Sequence, residues 1–117
     1  MGLMAMASAG LAAQSGYQLR VLSWSCFVFE NATIVRGTVK NIGPSSLSNL
    51  RVNARVMGKG LRVASNSALV NNRRLRPGEV TGFSVKVMTN FDSKKRCELG
   101  FRNPVLVQIA ALIPNPR

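Results

Sequence analysis

The side chains that could carry chemistry in this chain are few and scattered. Histidine is absent, which removes the commonest general base, metal ligand and catalytic-triad member together. The four carboxylates, Glu30, Glu79, Asp92 and Glu98, are spread along the sequence. Acid–base catalysis by a carboxylate pair needs two in one site, and oxygen-rich metal sites need clusters of them. Gly58-Lys59-Gly60 is far too short to be a phosphate-cradling loop. A thiol nucleophile needs a positioned base, and Cys97 has only the cation of Arg96 beside it. The expectation is therefore a non-enzyme with no catalytic residue, no metal site and no cofactor.

Cys26 and Cys97 lie too far apart for a CxxC redox or zinc motif. Two readings stay open for them. In an oxidising compartment they can close one long loop, which stabilises a fold by roughly 4 kcal/mol in the chain-entropy picture. Otherwise they are two separate buried thiols acting as small apolar side chains.

What remains is positive charge. Lysine and arginine number 16 against four acids, giving a net charge of +12. Such an imbalance favours anionic partners: an acidic protein, an anionic envelope component or nucleic acid. The candidate anion- or partner-binding residues are Arg36 and Lys40, Arg51 and Arg55, Arg73, Arg74 and Arg76, Lys86, and the run Lys94, Lys95 and Arg96. Arginine adds a planar fork suited to phosphate or sulfate. The competing reading is a solvated face whose like charges keep the domain soluble and its sheet edges unpaired.

Strands must position these residues. Val35, Gly37 and Val39 alternate with Arg36, Thr38 and Lys40; Leu50, Val52, Ala54 and Val56 alternate with Arg51, Asn53 and Arg55; Phe83, Val85 and Val87 alternate with Ser84 and Lys86. A period of two with one wet face is the signature of a half-buried strand. Leu19 and Val21 fall on one side of an earlier segment, Leu22 and Trp24 on the other. Cys97, Leu99 and Phe101 give another alternating set, and Leu61–Ala64 and Ala68–Val70 suggest two short strands. The nearly continuous apolar run Val105–Ile113 reads as a final strand buried on both faces. Gly43-Pro44 and Pro77-Gly78 are turn signals, the latter fitting the central positions of a type II turn. Several short strands separated by turns predict an all-β, immunoglobulin-like antiparallel sandwich of about seven strands. Its span is 17–113, with a Pro-rich tail at 114–117.

Residues 1–13 carry no charged side chain, and small residues recur at Ala7, Ala9, Gly10 and Ala12. This short apolar leader has the character of a secretory signal, possessing no basic start, and is too short to span a bilayer. A mature chain without a membrane span, periplasmic or secreted, is expected. Three functions follow: an exported interaction module contacting an envelope protein or anionic surface, an interior nucleic-acid or ribonucleoprotein accessory, or a structural domain without a specific ligand. Single-strand binders interleave cations with exposed aromatics, and here most of the seven aromatics, such as Phe83 and Phe101, fall on expected core faces, Tyr17 and Trp24 being the exceptions.

Two stretches carry a family resemblance. Arg36-Gly37-Thr38-Val39-Lys40-Asn41 followed by Leu50-Arg51-Val52, and Leu75-Arg76-Pro77-Gly78-Glu79-Val80-Thr81-Gly82-Phe83-Ser84-Val85, are similar to strands of the FxLYD domain family. The similarity covers about Leu19 to Phe101. It implies a small immunoglobulin-like sandwich of a bacterial exported or membrane-anchored protein, with no assigned activity and no functional residues to carry over. The family's naming motif is replaced here by Ala54-Arg55-Val56-Met57-Gly58, which lacks the aromatic–acid pair.

Overall fold

The structure, a computed structural model, describes residues 16–60, 62–89 and 94–117. Among these, ten strands form: β1 Leu19–Phe29, β2 Ala32–Asn41, β3 Leu47–Ser48, β4 Arg51–Gly58, β5 Val63–Leu69, β6 Arg74–Leu75, β7 Val80–Met88, β8 Lys94–Arg102, β9 Gln108–Ile109 and β10 Ala111–Leu112. One sheet runs β10-β1-β2-β7 and the other β9-β8-β4-β5, while β3 and β6 make a two-stranded ribbon at one end. The chain crosses between sheets after β2, β5, β7 and β9, the first three crossings giving the Greek-key order of an immunoglobulin-like β-sandwich. The protein is all-β. The leader at 1–13 lies outside the described residues.

The alternating patterns explain how the two sheets face each other. Val35 and Val39 from β2, Val52, Ala54 and Val56 from β4, and Phe83, Val85 and Val87 from β7 are buried in one core. Phe101 joins them from β8, edge-to-face with Phe83 at a ring-centroid distance of 5.7 Å. The intervening positions of the same strands point to solvent, so each sheet presents one outer face.

β1 departs from simple alternation, and for a visible reason. Its pairing with β2 shifts between Val21 and Ser23. This bulge, one extra residue at Leu22, brings Leu19, Val21 and Trp24 onto the same inward side and leaves Leu22 exposed. Sequence alternation had put Trp24 opposite Leu19 and left it as a candidate exposed aromatic; it is instead 4% exposed. Trp24 sits directly across from Gly37. A Cβ on Gly37 would collide with the Ser23 carbonyl oxygen and come within 2.8 Å of the Trp24 Cα. The glycine is thus what lets β1 and β2 close around the indole.

Asn41, at the end of β2, organises the loops at that end of the sandwich. Its side chain is fully buried. Nδ2 donates to the Ser45 carbonyl at 2.8 Å and to the Leu75 carbonyl at 2.9 Å, while Oδ1 accepts from the Gly43 N–H at 2.9 Å. Its backbone adds bonds with Glu79 and Gly78. The Pro77-Gly78 turn closes with the Glu79 N–H donating to the Arg76 carbonyl at 3.0 Å, and Gly78 has φ +87°. That is type II geometry, with glycine at the one position that needs positive φ.

Cys26 of β1 and Cys97 of β8 form a disulfide that ties the two sheets together, with Cα atoms 6.6 Å apart. Two sequence expectations need correction. Where two short strands were expected at Leu61–Ala64 and Ala68–Val70, Val63–Leu69 is one strand, β5, continuous through Ser65, Asn66 and Ser67; Leu61 lies outside the described residues. β5 is an edge strand, so most of its side chains meet water and leave no apolar rhythm to read. The Val105–Ile113 run is not a strand buried on both faces. Val105, Leu106 and Val107 form an exposed turn, and only short pairings follow at β9 and β10. The chain there leaves β8, touches its edge, and crosses to run parallel to β1. The Pro-rich tail lies along β1: Trp24 Nε1 donates to the Pro114 carbonyl at 2.6 Å, and the Arg117 N–H donates to the Trp24 carbonyl at 2.8 Å.

Candidate anion-binding face

The eleven cationic candidates do not converge on one site. Arg36 and Lys40 project from β2, and Lys86 from β7, onto the outer face of the first sheet. Arg36 there stacks over the Phe27 ring at 5.0 Å, which partly occupies its guanidinium. Arg73, Arg74 and Arg76 are exposed in the segment around β6, at the Asn41 end of the sandwich. Lys94 and Lys95 open β8 at the other end, Lys94 opposite Gly58. Arg51, Arg55 and Arg96 lie on the outer face of the second sheet.

That second face is the most organised. β4 and β8 are adjacent and antiparallel, with Arg51 paired to Arg102, Asn53 to Gly100, Arg55 to Glu98 and Met57 to Arg96. All eight residues point away from the core. Two arginines therefore stand directly opposite each other, with Cα atoms about 5 Å apart. Like charges in that arrangement destabilise a sheet. Arg51 is steadied by a hydrogen bond from Nη1 to the Ser67 hydroxyl at 3.0 Å. Glu98 offsets the other pair, lying 3.1 Å from Arg96 and 3.8 Å from Arg55. Among the described residues, no carboxylate forms an ion pair with Arg51 or Arg102.

Between these groups lies a shallow depression of about 200 Å³, bordered by Asn53, Arg55, Glu98, Arg102 and Gln108 with Gly100 as part of its floor. A Cβ added to Gly100 would meet nothing within 4 Å, so the missing side chain leaves open space rather than relieving a clash. The rim offers two guanidinium forks and two amides; Glu98 faces Arg55, so the Arg102 side, four residues along β8 from that carboxylate, is the donor-rich setting for a phosphate, sulfate or carboxylate. Arg102 was not singled out from sequence. The signal was present: Arg96, Glu98, Gly100 and Arg102 share one parity, opposite to Cys97, Leu99 and Phe101.

A second concavity, of about 570 Å³, opens between the sheets beside the disulfide, walled by Trp24, Leu99, Arg96 and the tail from Ile113 to Arg117. Arg96 is already held by Glu98 there. Among the described residues, no group of three or more His, Cys, Asp or Glu could hold a metal ion, and no helix is long and apolar enough to cross a membrane.

No family model matches the chain, and no curated protein matches it. Among solved structures, it is similar to the archaellum periplasmic stator protein FlaG from Sulfolobus acidocaldarius, at 14% identity over 78% of this chain and 93% of that one, with a TM-score of 0.44. It is likewise similar to a chain of the archaellum periplasmic stator complex of FlaF and FlaG from the same organism, at 13% identity over 90% of this chain and 96% of that one, with a TM-score of 0.46. At that level of identity neither lends a residue role or a partner to this chain.

Proposed function

We propose that this protein is a non-catalytic, exported sandwich domain that binds an anionic component of the cell envelope through the outer face of β4 and β8. The observation that carries the reading is the opposed pair Arg51 and Arg102 beside the depression over Gly100. A cross-strand arginine pair costs stability in the free protein, and an anion bound between the two guanidinium groups offsets that cost. Recognition by charge suits this face better than base stacking, because Phe101, the aromatic of β4 and β8 among the described residues, points into the core. Export agrees with the disulfide, which persists in oxidising compartments. A periplasmic or secreted bacterial location, and membership of the FxLYD family, belong to the same proposal and rest on the leader and the two quoted stretches.

The test is binding to dextran sulfate by calorimetry at two salt concentrations. Wild type binds, and affinity falls as salt rises, because screening weakens each contact. Arg51→Ser with Arg102→Ser weakens binding roughly tenfold or more, whereas Arg36→Ser with Lys86→Ser on the opposite sheet changes it little. Equal losses from the two double variants would leave only diffuse charge and sink the assignment to this face.

A further inference from the structure

The loop joining β8 to β9 is built to hold apolar side chains in water. Val105, Leu106 and Val107 are 76%, 61% and 57% exposed, three in succession. The loop is a closed turn. Asn103 Oδ1 accepts from the Val105 N–H at 3.0 Å and the Val107 N–H at 2.9 Å. The Asn103 backbone bonds to Val107 and Leu106, and Leu106 takes φ +65°. One side chain and two backbone groups thus hold the apolar tip in a defined shape, with its three residues kept out of the core.

The end of the sandwich that carries this tip is rich in arginine. Arg102 immediately precedes the loop and pairs with Arg51. Two residues before Arg51, the Asn49 N–H bonds to the Arg73 carbonyl at 2.7 Å, and Arg74 pairs with Ser48 in the β3–β6 ribbon. The same end of the sandwich therefore carries Arg73, Arg74, Arg76 and Arg102, all exposed. Its one carboxylate among the described residues, Glu79, is engaged by the Arg76 N–H at 2.7 Å. Glu98 is four residues up β8, about 13 Å away, and Glu30 is in the β1–β2 turn at the opposite end.

We infer that this end of the domain docks on the surface of an anionic lipid bilayer, the Val105–Val107 tip entering the headgroup–acyl boundary while the arginines meet lipid phosphates. An exposed apolar tip at an arginine-rich end of the domain matches that interface in both layers: apolar area is buried in the boundary and basic residues are drawn to anionic headgroups. A protein groove would match the apolar tip alone, and a soluble polyanion would match the arginines alone. The inference goes beyond the arginine face of β4 and β8, whose polyanion binding can succeed or fail independently of it.

The experiment uses the full chain with vesicles of phosphatidylcholine, alone and with about one third phosphatidylglycerol. Sedimentation with the anionic vesicles, and much less with the neutral ones, is expected. Val105→Ser, Leu106→Ser and Val107→Ser together weaken vesicle binding at least about tenfold and leave dextran sulfate binding unchanged. Leu106→Trp reports entry directly, through a blue-shifted emission component appearing only with anionic vesicles. Three results would overturn the inference: vesicle binding unaffected by the serine substitutions, no spectral change in Leu106→Trp, or a wild-type dimer that the serine substitutions convert to monomer. The last would make the tip a contact between copies of the chain. Loss of dextran sulfate binding in Arg51→Ser with Arg102→Ser, with Leu106→Trp still entering vesicles, would separate the two proposals.

Discussion

Replacing Asn41 by alanine tests whether one buried amide holds the loops that frame the arginine-rich end. The side chain makes three hydrogen bonds, all to backbone groups, at 2.8 to 2.9 Å. The bond to Leu75 is buried, so its loss leaves a carbonyl oxygen without a partner, at about 1–3 kcal/mol. The bonds to Ser45 and Gly43 are partly accessible, and water recovers some of each; about 0.5–1 kcal/mol apiece is a fair allowance. The sum is roughly 2–5 kcal/mol, a large share of the ~5–15 kcal/mol typical of a small domain. Urea unfolding followed by Trp24 fluorescence measures it as a lower midpoint at unchanged slope. Asn41→Asp sharpens the test. It keeps the acceptor for Gly43 but turns a carboxylate toward two carbonyl oxygens, so burial and repulsion raise its folded pKa. A group with raised folded pKa binds more protons in the native state, so the stability of this variant rises as pH falls. An alanine variant within about 1 kcal/mol of wild type, or an aspartate variant that weakens further on acidification, would refute the reasoning.

Other substitutions probe neighbouring links. Gly37→Ala forces apart β1 and β2 at Trp24 and should cost about 2–4 kcal/mol, read by chemical denaturation and by a red shift in indole emission. Gly78→Ala strains the φ +87° position of the type II turn and lowers stability by about 1–2 kcal/mol, measured by thermal unfolding. Cys26→Ser with Cys97→Ser removes a cross-link between residues 71 positions apart, costing about 4 kcal/mol; calorimetry without reductant shows the lowered Tm, and reduction of the wild type reproduces most of it. Gly100→Val separates folding from binding. The added side chain enters open space and raises strand propensity, so the melting temperature holds or rises while dextran sulfate affinity falls.

Much of the fold was legible because three strands advertise themselves. β4 and β7 bury every second residue, and β2 does so at Val35, Val39 and Asn41 with half-buried Gly37 between them, so their alternation in sequence is their alternation in space. What was not legible has local causes. The bulge at Leu22 reverses the parity of Trp24, and no residue type announces a bulge before pairing is known. β5 hides because an edge strand facing water has no apolar rhythm. The Val105–Val107 run misled for the opposite reason: apolar residues in succession normally signal burial, and here the Asn103 hydrogen bonds hold them outside. The candidate site was half legible. The sequence could name Arg51 and Arg55 as neighbours on one strand face, but Arg102 enters only when β8 pairs with β4, since its position opposite Arg51 is a matter of register.

The most direct test of the arginine face is a map of where a polyanion touches. Backbone amide resonances of isotopically labelled protein, followed during titration with a short dextran sulfate, report each strand separately. The largest shifts are expected at Arg51, Asn53, Gly100 and Arg102, with little change at Arg36, Lys40 and Lys86 on the other sheet. Shifts concentrated on β2 and β7, or spread evenly over both faces, would contradict the assignment to the arginine face.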